Sequence, residues 1–508
     1  VTTATDTYNT AVGHHAGANV TTGIQNTLVG GLAGDALTVG GTNVAVGVSA
    51  LGADTLGSSS VAIGSSALRL QNFTTATDVY NVAIGRAAGE NVTTGLYNTL
   101  VGGLAGQNIT DAERNVAVGT FTLDADRLGQ RNTAVGYAAL TTQNFTTATD
   151  SHNTAIGNEA GLNVTTGTGN TYIGSEVGDA NTDGIANVAM GGDGTYAALG
   201  ADTRGKFSTA IGFGALTAQN FTSVTATNNT AVGYFAGGVN ATGTGNTYLG
   251  SLAGDDSNDG ANNVAVGFHA GGGNHGNNNV FVGEGAAIAA TGGTNTVVGS
   301  GACGGSFTAS GTVAVGRSAG NGIAGGNNNI CIGNSADVAS STQTNGIAIG
   351  VSITAAANDF SFGKASNVVT NDFDADANWS RSSDERLKKN ITNQTLGLDF
   401  INDLRTVKYN WKASNELDST DSQLAHLYKE NAADNEMNTD VTMHNFIAQE
   451  VKAALDTAGV SNFAGWQEDH YGVQQVSREM FVIPLVKAVQ ELSTALDAAL
   501  ARIATLEG

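Results

Sequence analysis

Proline occurs once in 508 residues, cysteine twice, and aromatic side chains make up only 6% of the chain. So little proline argues against a disordered linker, and 71 glycines without a Gly-X-Y period exclude collagen. Two cysteines cannot build a disulfide framework, and Cys303 and Cys331, at different positions of a repeat, are expected as buried free thiols. Lys and Arg number 21 against 44 Asp and Glu, a formal net charge of -23. That balance excludes the clustered positive charge a nucleic-acid partner demands. No run of 18 apolar residues is present, so no membrane insertion is expected. No His-x-His pair or Cys/His cluster has zinc spacing, so neither a metal nor another cofactor is expected. The chain opens on Val1 with neither Met nor signal peptide, as a processed product or a fragment would.

What is present is unevenly spread. Residues 1–363 hold 8 of the 21 Lys and Arg, while 66 of the 71 Gly lie before residue 364. Trp379, Trp411 and Trp466 all follow that point. Two kinds of protein are joined there: a repeat region over 1–363, a linker over 364–382, and a distinct C-terminal domain over 383–508.

The repeat is Asn-x-(small or apolar)-(Val/Ile/Leu)-Gly, beginning at Asn9, Asn26, Asn43 and Ser60, then Asn81, Asn98, Asn115, Asn132 and Asn153. Its steps run 17, 17, 17, 21 and repeat, a super-period of 72 residues, and 21 copies end at Gly363. The long steps carry "QNFTTATD" at 71 and 143 and a variant at 219. Each apolar run is a strand of three to five residues, closed by a Gly that permits a special backbone angle or a close approach. Asn at each opening suits turns and stacked ladders. A propeller would need units of about 40 residues, so these are too short.

Neighbouring strand positions such as Leu28 and Val29 point to opposite faces, yet both are apolar. One face fills a thin interior; the other asks for another chain. The expected fold is therefore mainly β: a parallel β-roll or β-solenoid rod of about 21 short coils, ~100 Å long at strand spacing, associating side by side. "NTAVGYAAL", "NVAIGRAAG" and "SVAIGSSAL" resemble the head repeats of trimeric autotransporter adhesins, which implies a trimeric β-roll. The longer unit departs from that pattern, and the C-terminal membrane barrel of such adhesins has no counterpart here.

Within the rod, "DANTDG" (179–184) and Asp255-x-Ser257-x-Asp259-Gly260 look like half of a calcium loop. The closing Glu is missing, with Met190 and Val266 in its place, so these read as solvated turns. Phe73, Phe145 and Phe221 in the inserts offer a recognition surface for sugar or protein, or anchor their loops; anchoring is the expectation.

After residue 382 the pattern turns mixed and helical. "LGLDFINDLRTVKYNWK" reads as a helix entering a strand, and "HNFIAQEVKAALDTAG" as a helix stopped by Gly459. From Pro484, Leu485, Val489, Leu492, Leu496, Ala499, Ile503 and Leu506 alternate by four and three, a coiled-coil seam over 484–508. In "SSDERLKKNI" (382–391), Ser383 is a candidate nucleophile and Lys388 its base. A lysine serves only when neutral, through burial or nearby cations such as Arg386 and Lys389. On an ideal helix five residues leave the two side chains roughly 140° apart. They meet only if Ser383 precedes the helix, which the capping-box pattern Ser382-x-x-Glu385 allows. First-turn N–H groups would then hold an oxyanion. The plain alternative is a capping box and nothing more. His444 is a further candidate, better placed in packing than in chemistry.

These motifs, with "LDFINDLRTVKYNWK", "HNFIAQEV" and "YGVQQVSREMFVIPLVKAVQEL", resemble the intramolecular chaperone domain at the end of bacteriophage endosialidases and other tail spikes and fibres. The resemblance implies a domain that trimerises the fibre and then cuts itself off, with Ser383 and Lys388 as the catalytic pair. It further implies a virion tail fibre contacting a host-cell glycan or protein and other tail proteins. A secreted or surface bacterial adhesin with the same end, and a polysaccharide-degrading spike, are the alternatives. No enzyme activity is inferred for the rod itself.

Overall fold

The computed structural model describes residues 6–365, 367–373, 376–381 (backbone only), 383–431 and 439–507. The chain divides into two compact units, Val1–Ser382 and Ser383–Gly508.

The first unit is a parallel β-solenoid. Twenty-one strands, from Thr10–Val12 to Asp359–Lys364, pair coil upon coil. The register is constant: Thr10, Ala11 and Val12 oppose Thr27, Leu28 and Val29, and these oppose Val44, Ala45 and Val46. In each three-residue strand the middle side chain points inward and the first and third point outward, as a period of two requires. The middle column is sealed, with Leu28, Ala45, Leu100, Ala117, Tyr172 and Tyr248 all buried. Four of its large members, Leu28, Leu100, Tyr172 and Tyr248, each sit between alanines, for example Ala155 and Ala189 around Tyr172, while Phe281 has Ala265 on one side and Val297 on the other. Large beside small fills a thin core without overpacking. The super-period seen in the loops is thus written into the core as well.

The strand glycines carry both of the burdens expected of them. Gly47 has φ +136, and a Cβ there would lie 2.5 Å from the carbonyl oxygen of Gly64 in the next coil. The Asn column is buried and sharpens the expected ladder. Asn43 receives on Oδ1 the N–H of Ser60 at 2.9 Å, gives its own N–H to Asn26 Oδ1 at 3.0 Å, and donates from Nδ2 to the Gly57 carbonyl at 2.9 Å. The rungs run mainly from side chain to backbone, so one amide satisfies a strand start and a corner together.

Residues 364–382, read as a linker, carry two more strands. Asn367–Asp372 pairs antiparallel with Asp359–Lys364, and Asp376–Arg381 pairs with Asn367–Asp372. Ser361 is inward here, its Oγ within 3.1 Å of Thr370 Oγ1, so an antiparallel turn finishes the parallel sheet.

The second unit is small and mainly helical. Helices span Leu398–Asn402, Ala448–Thr457 and Val482–Glu507, and strand Val407–Tyr409 pairs with Met443–Asn445. Gly459, at φ +69, follows the second helix as expected. Its core is Leu396, Phe400, Val451, Ala454, Leu455 and Phe481. Glu491 of the long helix accepts the Leu398 N–H at 2.7 Å, tying that helix to the core. No helix among the described residues is long and apolar enough to cross a membrane.

Candidate functional site

Ser383 opens the second unit. Asp384 caps a single 3-10 turn, Glu385–Leu387, with its carboxylate accepting the Arg386 N–H at 2.9 Å. Arg386 returns Nε and Nη2 to the same carboxylate at 3.0 and 2.7 Å, which holds Asp384 below the usual carboxylate range. Lys388 then leaves the turn in extended conformation, φ -110 and ψ 148. Its Nζ donates to Ser383 Oγ at 2.8 Å.

The pair meets by a different route from the expected one. Ser383 does precede the turn, but the turn is too short to carry Lys388 round a helical face. The cap comes from Asp384; Ser382, the expected capping residue, lies outside the described residues. The first-turn amides are also less free than an oxyanion site needs. Those of Arg386, Leu387 and Lys388 already bond to Asp384 Oδ1 and to the carbonyls of Asp384 and Glu385. His444 lies in the strand Met443–Asn445 opposite Lys408 and lines a cavity of about 430 Å³ with Phe446 and Arg478.

The rod candidates resolve into structure. Phe73, Phe145 and Phe221 are 6%, 6% and 8% exposed, so the inserts are anchored by their aromatics. Asn181 of the first half-calcium loop turns the chain, accepting the Gly184 N–H at 3.1 Å, and Asp183 pairs with Arg204 at 3.4 Å. In the second loop Ser257 is buried and Asp255, pushed up to about 6 chiefly by burial, faces His269 at 3.7 Å. Among the described residues no group of three or more His, Cys, Asp or Glu side chains could hold a metal ion. Cys303 and Cys331 are free and buried.

Three carboxylates escaped the sequence reading. Asp54 accepts Gly57 N–H at 3.0 Å and Gln71 Nε2 at 2.7 Å, and Asp126 and Asp202 repeat this with Gln143 and Gln219. The insert glutamines also receive the ladder amides of Asn81, Asn153 and Asn229 at 2.8–2.9 Å. The inserts therefore bridge a buried turn to the Asn column. Burial raises all three carboxyls above their ordinary value despite these donors. Recurrence of "GADTLG", "DADRLG" and "GADTRG" at the super-period was the available signal.

Residues 383–460 match the family model described as chaperone of endosialidase. That match, with the long solenoid before it, fits a trimeric tail-fibre or tailspike-like protein with a C-terminal chaperone domain. The resemblance read from the sequence runs on to 508, so the terminal helix lies beyond the matched span. No curated protein and no solved structure matches the chain.

Proposed function

We propose that this chain is a homotrimeric virion tail fibre that contacts a host-cell glycan or protein and joins other tail proteins. Its C-terminal unit assembles the trimer and then cuts the chain at Ser383. The observation that carries the fibre reading is the third strand column. From Val12 to Phe362 it is a large apolar residue in all 21 coils, outward-facing on a solenoid whose interior is already filled. Leu249 in this column is 48% exposed in the single chain. An unbroken apolar stripe of this length requires a partner, and an identical chain presents the same stripe in the same register. The heptad seam of Val482–Glu507 is likewise exposed.

Self-cleavage rests on the 2.8 Å contact between Lys388 Nζ and Ser383 Oγ. A lysine serves as a base only as its neutral amine, the form that desolvation favours. The Ser383 oxygen then attacks an adjacent peptide carbonyl, and the amine passes the hydroxyl proton to the leaving backbone nitrogen. Water hydrolyses the ester, so the net change is one hydrolysed peptide bond. A rod whose folding aid has departed is held by a kinetic barrier.

A denaturing gel tests both parts. Wild type is expected to give a rod fragment ending near residue 383 that resists dissociation without boiling. Ser383→Ala and Lys388→Ala are expected to stay full length. One full-length band for all three ends the cleavage reading, and monomers without boiling end the trimer reading.

A further inference from the structure

With the insert phenylalanines buried, exposed aromatics of the rod lie elsewhere, among them Tyr80, Tyr97 and Phe207 just before a strand-opening residue, and Tyr137, Tyr234 and Phe268 in the column just after the strand glycine. The backbone ladder defines equivalent places in the three super-repeats. The carbonyls of Val48, Thr120 and Tyr196 accept the N–H groups of Ser66, Ala138 and Gly214 at 2.9, 3.0 and 2.9 Å. The next two rungs are Ser65, Tyr137 and Phe213, then Arg86, Asn158 and Tyr234. The same frame therefore reads Val-Ser-Arg, then Thr-Tyr-Asn, then Tyr-Phe-Tyr. Only the third copy is aromatic on every rung, and the first copy proves that folding needs none of these rings.

The rings form one surface. Phe213 and Tyr234 stack with centroids 5.8 Å apart and planes at 11°, and Tyr196 lies 5.7 Å from Phe213. Phe235 sits beneath, 5.0 Å from Tyr196 and 4.8 Å from Tyr234, packed where side chains on Gly214 and Gly238 would collide with it. Tyr196 reaches the track through residues that break the strict coil. The pairing register skips between Ile173 and Ser175 opposite Met190 and Asp193. Asp193 Oδ1 then accepts the N–H groups of Thr195 and Tyr196 at 3.2 and 3.4 Å, fixing the loop. Tyr196 and Tyr234 remain 44% and 53% exposed.

We propose that Tyr196, Phe213 and Tyr234, floored by Phe235, bind a neutral polysaccharide laid along the rod axis. It deepens the fibre reading, on which its biological meaning rests. A second copy of the chain is the wrong occupant, because this column holds Ser65, Arg86, Asn158 and Glu284 elsewhere, whereas the third strand column is apolar in every coil. A protein partner is also a poor fit. A stable interface buries about 800 Å² on each side, and a track one residue wide over three coils does not offer it. Charge selects among glycans: Glu176 lies against Gly194 of the same loop, with Asp193 next to it in sequence, on a chain of net charge -23. A polyanion is repelled. Sugar C–H faces pack on the rings while hydroxyls meet the two phenols at the ends, the mixed contact tyrosine makes well.

Affinity electrophoresis of the full chain in native gels containing dextran, amylose or galactomannan, against hyaluronate, tests this. The variant Tyr196→Thr/Phe213→Ser/Tyr234→Asn puts at each place the residue or residue type another super-repeat already carries, so the frame accepts it. Tyr234→Asn alone is the second variant. Retardation is expected with at least one neutral polymer and none with hyaluronate. The triple variant should bind at least about tenfold more weakly at an unchanged melting temperature, and Tyr234→Asn by a smaller factor. Retardation by no neutral polymer, by hyaluronate alone, or equally in wild type and both variants overturns the proposal. Host-cell binding, measured in parallel, separates the two readings. If cells still bind the triple variant, the fibre stands without this track. If cells never bind but gels retard, the track stands without the fibre's host role.

Discussion

The rod and the C-terminal unit handle apolar surface in opposite ways. In the rod the inward side chains beyond the first coil are sealed by the coils above and below, and most buried strand starts are answered by an asparagine. The most regular apolar surface left outward is one stripe, the third strand column. The C-terminal unit has a core of six buried residues and a 26-residue helix whose seam, from Leu485 to Leu506, lies open. The lesson is kinetic as much as structural. A three-residue strand has no hydrogen-bond partner until another coil forms some 17 residues away, so a first coil is costly to nucleate and cheap to extend. A long amphipathic helix forms from local contacts and associates early. The unit with the weaker core is the one suited to start assembly.

The sharpest way to break this comparison is to charge the seam. Leu492→Asp/Leu496→Asp leaves the six-residue core untouched and places carboxylates where chains should meet. Trimer, read by light scattering coupled to size exclusion, is expected to vanish, with most of the rod insoluble. A trimer of normal mass and yield would return the initiating role to the rod. A smaller effect follows from breaking a single rung. Asn98 donates to the Ala112 carbonyl at 2.9 Å and receives the Asn115 N–H at 3.0 Å, all buried. Asn98→Ala strands both groups, a loss of about 2–6 kcal/mol at about 1–3 kcal/mol each. Denaturant unfolding of the rod measures it. Asn98→Ser should do nearly as badly: the natural serines at 60 and 208 are each met by an insert glutamine, Gln71 or Gln219, at 3.1 and 2.9 Å, and this coil has no such insert.

Much of the rod was legible because repetition within one chain makes its own evidence. Twenty-one glycines at one phase report a single backbone requirement, and the neighbours Leu28 and Val29 report two apolar faces. What stayed hidden depends on which atoms face each other. The ladder's side-chain-to-backbone rungs, the bridging role of Gln71 and the burial of Asp54 are set by coil stacking across 11 to 17 residues, which no local pattern encodes. At the C-terminal site the Ser383–Lys388 pairing was legible as spacing. Its route was not: an aspartate cap and a bidentate arginine keep the turn too short to become the expected helix. The aromatic track was invisible because its first rung comes from an irregular loop.

The last and smallest effect concerns Asp54, Asp126 and Asp202. Asparagine already serves at the equivalent turn in other coils, where Asn181 and Asn240 accept the N–H groups of Gly184 and Gly243 at 3.1 and 2.9 Å. Asparagine at all three positions should therefore fold, losing the carboxylate's bond from each insert glutamine, whose carbonyl stays with the ladder amide. The three carboxyls are raised by burial in the folded rod. An unfolded aspartate releases its proton near pH 3.9, so as pH rises the unfolded chain ionises first and the folded chain is penalised. The penalty grows from the unfolded value up to the folded one and is constant above it. Wild type minus variant stability should thus be greatest in acid, fall as pH climbs through the carboxylate range, and be flat near neutrality. Melting temperatures of the two proteins at matched ionic strength give that difference directly, and the other acidic residues cancel. A difference that instead grows with pH would mean that the hydrogen bonds to Gln71, Gln143 and Gln219 outweigh burial, and that the inserts are held by charge.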